Sequence, residues 1–306
     1  MKLEDLVKVG LDELRMQMLG TQVLFGFQLQ GAFQEGFSGA SAAVRIVDAT
    51  ALSLIVLSLG LLIAAPSQHR LVDRGEATKR IFRTATHFAT VALLPLALAI
   101  ACDVYVVGER YWGSRDATIG ATATAAIALV LWYGVGVALN ITIHGKQEAL
   151  PMPEETETSL HTKIDQMLTE ARVILPGAQA LLGFQFVVTM TKAFAALRHL
   201  DRNIHFFALG AVTLSIMFLI TPAAIHRIAF GGRDVSHFHR IGSLFVTSAL
   251  IPLAVGVAGD FYVASTKIIE SRSLAATGAL CAFLLLAVLW YGIPLALRAT
   301  RIEGSR

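Results

Sequence analysis

The stretch Leu93–Tyr105, LLPLALAIACDVY, returns as Ile251–Tyr262, IPLAVGVAGDFY. Pro95 and Pro252, Asp103 and Asp260, and Tyr105 and Tyr262 each stand 157 residues apart. An apolar segment that carries one proline and one carboxylate and recurs at this spacing predicts a duplicated unit with one acid per copy at matching depth. Both segments lie in apolar runs of the length a bilayer requires, about 20 residues. Composition agrees: 55% of the 306 residues are hydrophobic and 15% charged, with a mean hydropathy of +0.64, whereas soluble domains carry about 25% charged residues. Cys102 and Cys281 both fall inside apolar runs and offer neither a disulfide framework nor metal-ligand spacing. The N-terminal MKLEDLVKVGLDELRMQMLG lacks the early apolar run and cleavage site of a signal peptide, so insertion is expected to rely on the spans themselves.

Residues 3–18 place Leu3, Leu6, Val7, Leu11 and Leu14 at helical spacing with charges between them. They predict an amphipathic leader, either lying on the membrane surface or leading into the first span. Eight spans follow, near 16–34, 49–65, 84–107, 117–142, 173–192, 204–225, 241–264 and 274–297. A second amphipathic stretch, SLHTKIDQMLTEA, precedes the fifth. The acidic, proline-containing residues 143–158 read as a linker. The expected organisation is a first unit over 1–142, the linker, and a second unit over 159–306. The registers match: Gln22–Gln28 with Gln179–Gln185, Phe37 with Phe194, His69-Arg70 with His226-Arg227, and, offset by one more residue, Trp132-Tyr133-Gly134 with Trp290-Tyr291-Gly292.

The expected fold is all-α, a polytopic integral membrane protein of eight transmembrane helices in two tandem, parallel four-helix units. Of the 25 Lys and Arg, 17 fall at the N-terminus, the C-terminus and the loops after the second, fourth and sixth spans. That excess predicts cytoplasmic termini. With four spans per unit both copies share one orientation. Asp103 and Asp260 then lie toward the outer side and the two His-Arg pairs toward the cytoplasm.

Asp103 and Asp260 read as proton or cation sites, because a carboxylate in a membrane helix costs about 2.5–3.5 kcal/mol at the centre and less near the interface. The structural alternative is an acid tied to a Tyr, Gln or Arg. Gln22, Gln28, Gln30, Gln179 and Gln185 give the first and fifth spans polar positions; Gln22, Gly26, Gln30 and Gln34 follow one another at four-residue steps on one face. These amides either line a water-filled path or bond between helices, at about 0.6 kcal/mol per contact. His69-Arg70 and His226-Arg227 end helices, where cations complement the dipole and meet anionic headgroups; a pH-sensitive gate is the sharper reading. His87 is matched in the other copy by Leu244, so the facing histidines of a haem site are not expected, nor is any other cofactor or metal. No phosphate-binding, zinc-protease or nucleophile-elbow motif occurs, so no enzyme is expected. The basic residues suit lipid headgroups better than nucleic acid.

The string LPGAQALLGFQ at Leu175–Gln185, followed by PAAIHR at Pro222–Arg227, resembles a family of small bacterial membrane proteins classed only as a domain of unknown function. The first copy departs from it, with MLGTQ for LPGAQ and PSQHR for PAAIHR. The resemblance implies a four-helix unit, usually one per chain, in the bacterial inner membrane, and it implies no activity; some members carry a loose sodium–proton antiporter label. Two functions stay open. One is a proton- or cation-linked channel or transporter. The other is a non-transporting scaffold or stress-associated module that recruits partners. Either fits a homo-oligomer, with the two units packed as a pseudo-dimer.

Overall fold

The computed structural model describes residues 2–37, 39–135, 137–138, 157–228, 230, 234–269 and 271–303. The acidic linker lies outside the described residues except for 157 and 158, as does the end of the fourth span. The helices are α1 (Leu3–Gly31), α2 (Ala42–Leu71), α3 (Lys79–Trp112), α4 (Ser114–Leu129, continuing as a π-helical turn Val130–Gly134), α5 (Leu160–Thr189), α6 (His199–Ile228), α7 (Ser236–Ile268) and α8 (Arg272–Ala287, a second π-helical turn Val288–Gly292, then Ile293–Glu303). No strand occurs among the described residues.

Seven helices, α2 to α8, are long and apolar enough to cross a membrane. They mark a membrane protein. α1 falls short of the eighth because its first turns carry Glu4, Asp5, Lys8, Asp12, Glu13 and Arg15 and its remainder carries four glutamines. Several helices outrun the apolar cores that sequence alone delimits, since polar caps add turns at their ends. Ser41 caps α2 by accepting from the Val44 N–H, Thr78 caps α3 through Ile81, and Ser159 caps α5 through Thr162.

The amphipathic leaders do not lie on a surface. Each is the first half of an unbroken helix, and Leu3, Val7, Leu11 and Leu14 are buried together with Ile164, Met167 and Ile174. An apolar stripe that finds a second stripe has no need of a bilayer surface. α1 packs along α5, and the contacts advance together on both: Lys8 pairs with Asp165 at 3.0 Å, Gln22 lies over Gly177, and the Phe27 and Phe184 rings are 4.7 Å apart. A side chain at Gly177 would strike Gln22, and one at Gly26 would strike Phe184. The helices approach this closely because glycine lets them.

Both acid-bearing helices are held at their prolines in the same way. Pro95 and Pro252 each remove an N–H and displace the carbonyl four residues back. The carbonyls beside the displaced one are bonded by neighbouring helices. Tyr133 donates to Thr90 O (2.6 Å) and Ser58 to Ala92 O (3.0 Å); Tyr291 donates to Thr247 O (2.5 Å) and Ser215 to Ala249 O (2.8 Å). The tyrosines come from the two VLWYG π-helical turns, local distortions of the kind that re-satisfy freed backbone groups in membrane helices. Asp103 and Asp260 follow these prolines by the same distance in sequence.

Candidate functional site

Each acid meets the glutamine 75 residues before it. In the first half, Gln28 Nε2 donates to Asp103 Oδ1 at 3.0 Å and to Asp48 Oδ1 at 3.2 Å. In the second, Gln185 Nε2 donates to Asp260 Oδ2 at 2.7 Å. The third member differs. The repeat places His205 where the first half has Asp48. His205 Nδ1 faces Asp260 Oδ1 at 3.5 Å, and Nε2 lies 3.0 Å from the Gln185 carbonyl.

The first triad is open. Asp48 and Asp103 line a cavity of about 650 Å³ together with Gln28, Gln34, Ser41 and Glu109. Asp48 is buried and its Oδ2 has no hydrogen-bond partner among the described residues. The second triad is closed, with Gln185, His205 and Asp260 all 0% exposed. The lid is Phe194, whose ring stands edge-on to His205 at 5.0 Å. Its counterpart Phe37 lines the open cavity instead. Local structure accounts for the difference. Phe194 sits in a one-turn α-helix, Lys192–Ala195, capped by Thr191, whereas Phe37 ends a 3-10 turn, Glu35–Phe37.

Hydrogen-bond chemistry differs between the triads as well. A carbonyl can only accept, so Nε2 of His205 carries a hydrogen. Nδ1 and Asp260 Oδ1 face each other without a hydrogen bond of acceptable geometry, so the contact between imidazole and carboxylate is electrostatic only. The imidazole is the one group of the second triad able to carry a positive charge beside its carboxylate. Asp48 and Asp103 have no such internal cation. Two carboxylates around one amide nitrogen repel when both are ionised.

Other sequence candidates fall elsewhere. Gln22 is buried against Gly177, but its repeat mate Gln179 is exposed. The α1–α5 crossing is off-centre: Gly20, the mate of Gly177, has open space beside it. Gln30 makes no side-chain bond among the described residues, and the α1 face that meets the cavity is that of Leu24, Phe27, Gln28 and Gly31, not that of Gln22 and Gln30. Tyr262 donates to Asp201 (2.9 Å), not to Asp260.

The two His-Arg pairs are not equivalent either. His69 and Arg70 are buried and meet Glu170, with His69 Nδ1 2.7 Å from Oε1 and Arg70 Nη1 2.8 Å from Oε2. His226 lies 3.5 Å from Asp234 and stacks on Phe238, and Arg227 is exposed. Glu13, the mate of Glu170, is exposed. Sequence reasoning missed Asp48, His205 and Glu170. Searching every polar residue at the repeat offset would have exposed the Asp48–His205 exchange.

Among the described residues no group of three or more His, Cys, Asp or Glu is placed to hold a metal. The family of unknown function DUF6328 matches the chain twice, at residues 5–136 and 153–294. The chain belongs to that family, and the two matches make the internal repeat a duplication of its unit. No curated protein and no solved structure matches the chain.

Proposed function

We propose that the protein is a proton- or monovalent-cation-linked channel or transporter, and that its first half holds the ion between Asp48 and Asp103. One observation carries this reading: a single amide, Gln28 Nε2, brings two carboxylates together at 3.0 and 3.2 Å on the wall of a cavity of about 650 Å³. Two negative charges so placed favour one positive charge between them. The unbonded Asp48 Oδ2 gives that charge a ligand. Asp260 and His205 form the version of the same site with its acid beside an imidazole, a fixed element on which the working half packs.

The membrane arrangement that goes with this reading has eight spans, α1 included, in two units of the same orientation related by an axis along the membrane normal. The joint advance of contacts along α1 and α5 supports it, and supports packing of the two units as a pseudo-dimer. The charge excess at the His69-Arg70 end supports cytoplasmic termini in a bacterial inner membrane. The closed second triad favours a second reading, a scaffold whose polar triads only pack helices.

The test is proton and monovalent-cation flux into liposomes that hold the purified chain. Flux well above empty liposomes, lost in Asp48→Asn/Asp103→Asn, is the expected result. Absence of flux from folded protein under every imposed gradient would move the weight to the scaffold.

A further inference from the structure

At the other end of the bundle from Asp103, a cavity of about 490 Å³ opens between the two halves. Arg70, from the last turn of α2, and Arg74, in the loop after it, come from the first half. Lys163 and Glu170 of α5, Arg240 of α7 and Arg298 of α8 come from the second. Lys163 is paired with Glu76. That leaves four guanidinium groups against one carboxylate, Glu170, which also meets His69.

Arg70 is the decisive member. Its side chain is only 5% exposed, and although Nη1 lies 2.8 Å from Glu170 Oε2, none of its three nitrogens makes a hydrogen bond of acceptable angle. Buried N–H donors left without acceptors are costly. Arg74, Arg240 and Arg298 have no ion-pair or hydrogen-bond partner among the described residues. Arg74 and Gly75 both take left-handed backbone, at φ 54° and 81°, where the chain turns around the cavity.

We propose that this cavity is a binding site for a phosphate-type oxyanion, either inorganic phosphate or the phosphodiester of a lipid headgroup. Such a group presents several acceptor oxygens on a compact negative charge, which suits converging guanidinium forks. It would satisfy Arg70 and offset the repulsion among the arginines around it. Because the ligands come from α2 and its loop on one side and from α5, α7 and α8 on the other, the anion would tie the halves together. Among the described residues the second copy offers no matching set: Arg227 is exposed, as is Glu13, the mate of Glu170.

The experiment is thermal unfolding of the full chain in two settings. In neutral detergent, sodium phosphate is titrated against sodium chloride of equal ionic strength. In nanodiscs, phosphatidylcholine alone is compared with phosphatidylcholine plus phosphatidylglycerol. A midpoint raised by phosphate assigns a free anion. A midpoint raised only by phosphatidylglycerol assigns the headgroup. In both cases Arg240→Gln and Arg298→Gln should each weaken the apparent affinity about tenfold, as loss of one charge-assisted hydrogen bond does. These two arginines have no protein partner, so their loss should not lower the midpoint in chloride. No stabilisation by either probe, or equal stabilisation of the double variant, would overturn the proposal.

Discussion

The two halves share a proline clamp, a glutamine and an acid, yet one ends in an open pair of carboxylates and the other in a closed acid–imidazole pair. One exchange, Asp48 for His205, separates a pair of neighbouring carboxylates from a carboxylate that faces an imidazole. One aromatic, Phe37 against Phe194, decides whether solvent reaches it. The cost of burying a charge separates the two copies. His205 allows Asp260 to be fully buried; Asp48 and Asp103 need the cavity.

The largest expected effect comes from exchanging the distinguishing residues. His205→Asp puts two carboxylates in a closed site and should destabilise the protein by about 3–5 kcal/mol, the cost of breaking a buried pair. The reverse change, Asp48→His, should cost less, because it removes one of two neighbouring carboxylates beside an open cavity, and should abolish ion flux by placing an imidazole beside Asp103. Equal stability losses in the two variants, read by denaturant unfolding in micelles, would break the comparison.

A smaller effect is expected at the seam between α1 and α5. Gly177→Leu would force a side chain into Gln22 and should cost about 1–3 kcal/mol by overpacking. Gly183, in the same helix, faces open space, so Gly183→Ala should be neutral or stabilising by about 0.5–1 kcal/mol.

The smallest concerns the loop after α2. Burial alone would push the Glu76 carboxyl up, but the hydrogen bonds from Lys163 and from Thr158 outweigh it and hold it below its ordinary 4.5. A carboxyl depressed by folding stabilises above its unfolded value and loses that contribution as the pH falls through the folded one. Stability should therefore drop slightly below about pH 4.5, by under about 1 kcal/mol for a pair this exposed. Glu76→Gln should remove that part of the acid dependence.

Much of this was legible in the sequence because lipid imposes strong rules. The repeat, the long apolar helices and the Gln28–Asp103 and Gln185–Asp260 correspondence follow from matching registers. Asp48 escaped because it sits one residue before the apolar run of α2, where hydropathy places a boundary although Ser41 starts the helix a full two turns earlier. His205 escaped because an acid and an imidazole do not look like the same position. The burial of the leaders was hidden because an amphipathic stripe does not say whether a membrane or a second stripe covers it. Nothing local separates Gln22 from Gln179; the off-centre crossing at Gly177 decides which of them is buried.

The proposed reading requires that the first triad, with two carboxylates and no cation, be accessible, while the second, with its acid beside an imidazole, be sealed. An apolar carbodiimide, which couples to protonated carboxyls that it can reach within a membrane, tests this directly. The full chain in liposomes is labelled and the modified peptides are identified by mass spectrometry. The account predicts adducts at Asp48 or Asp103 that diminish as the pH or the concentration of the coupled cation rises, and no adduct at Asp260. Comparable labelling of Asp260, or labelling of Asp103 that is indifferent to both pH and cations, would contradict it.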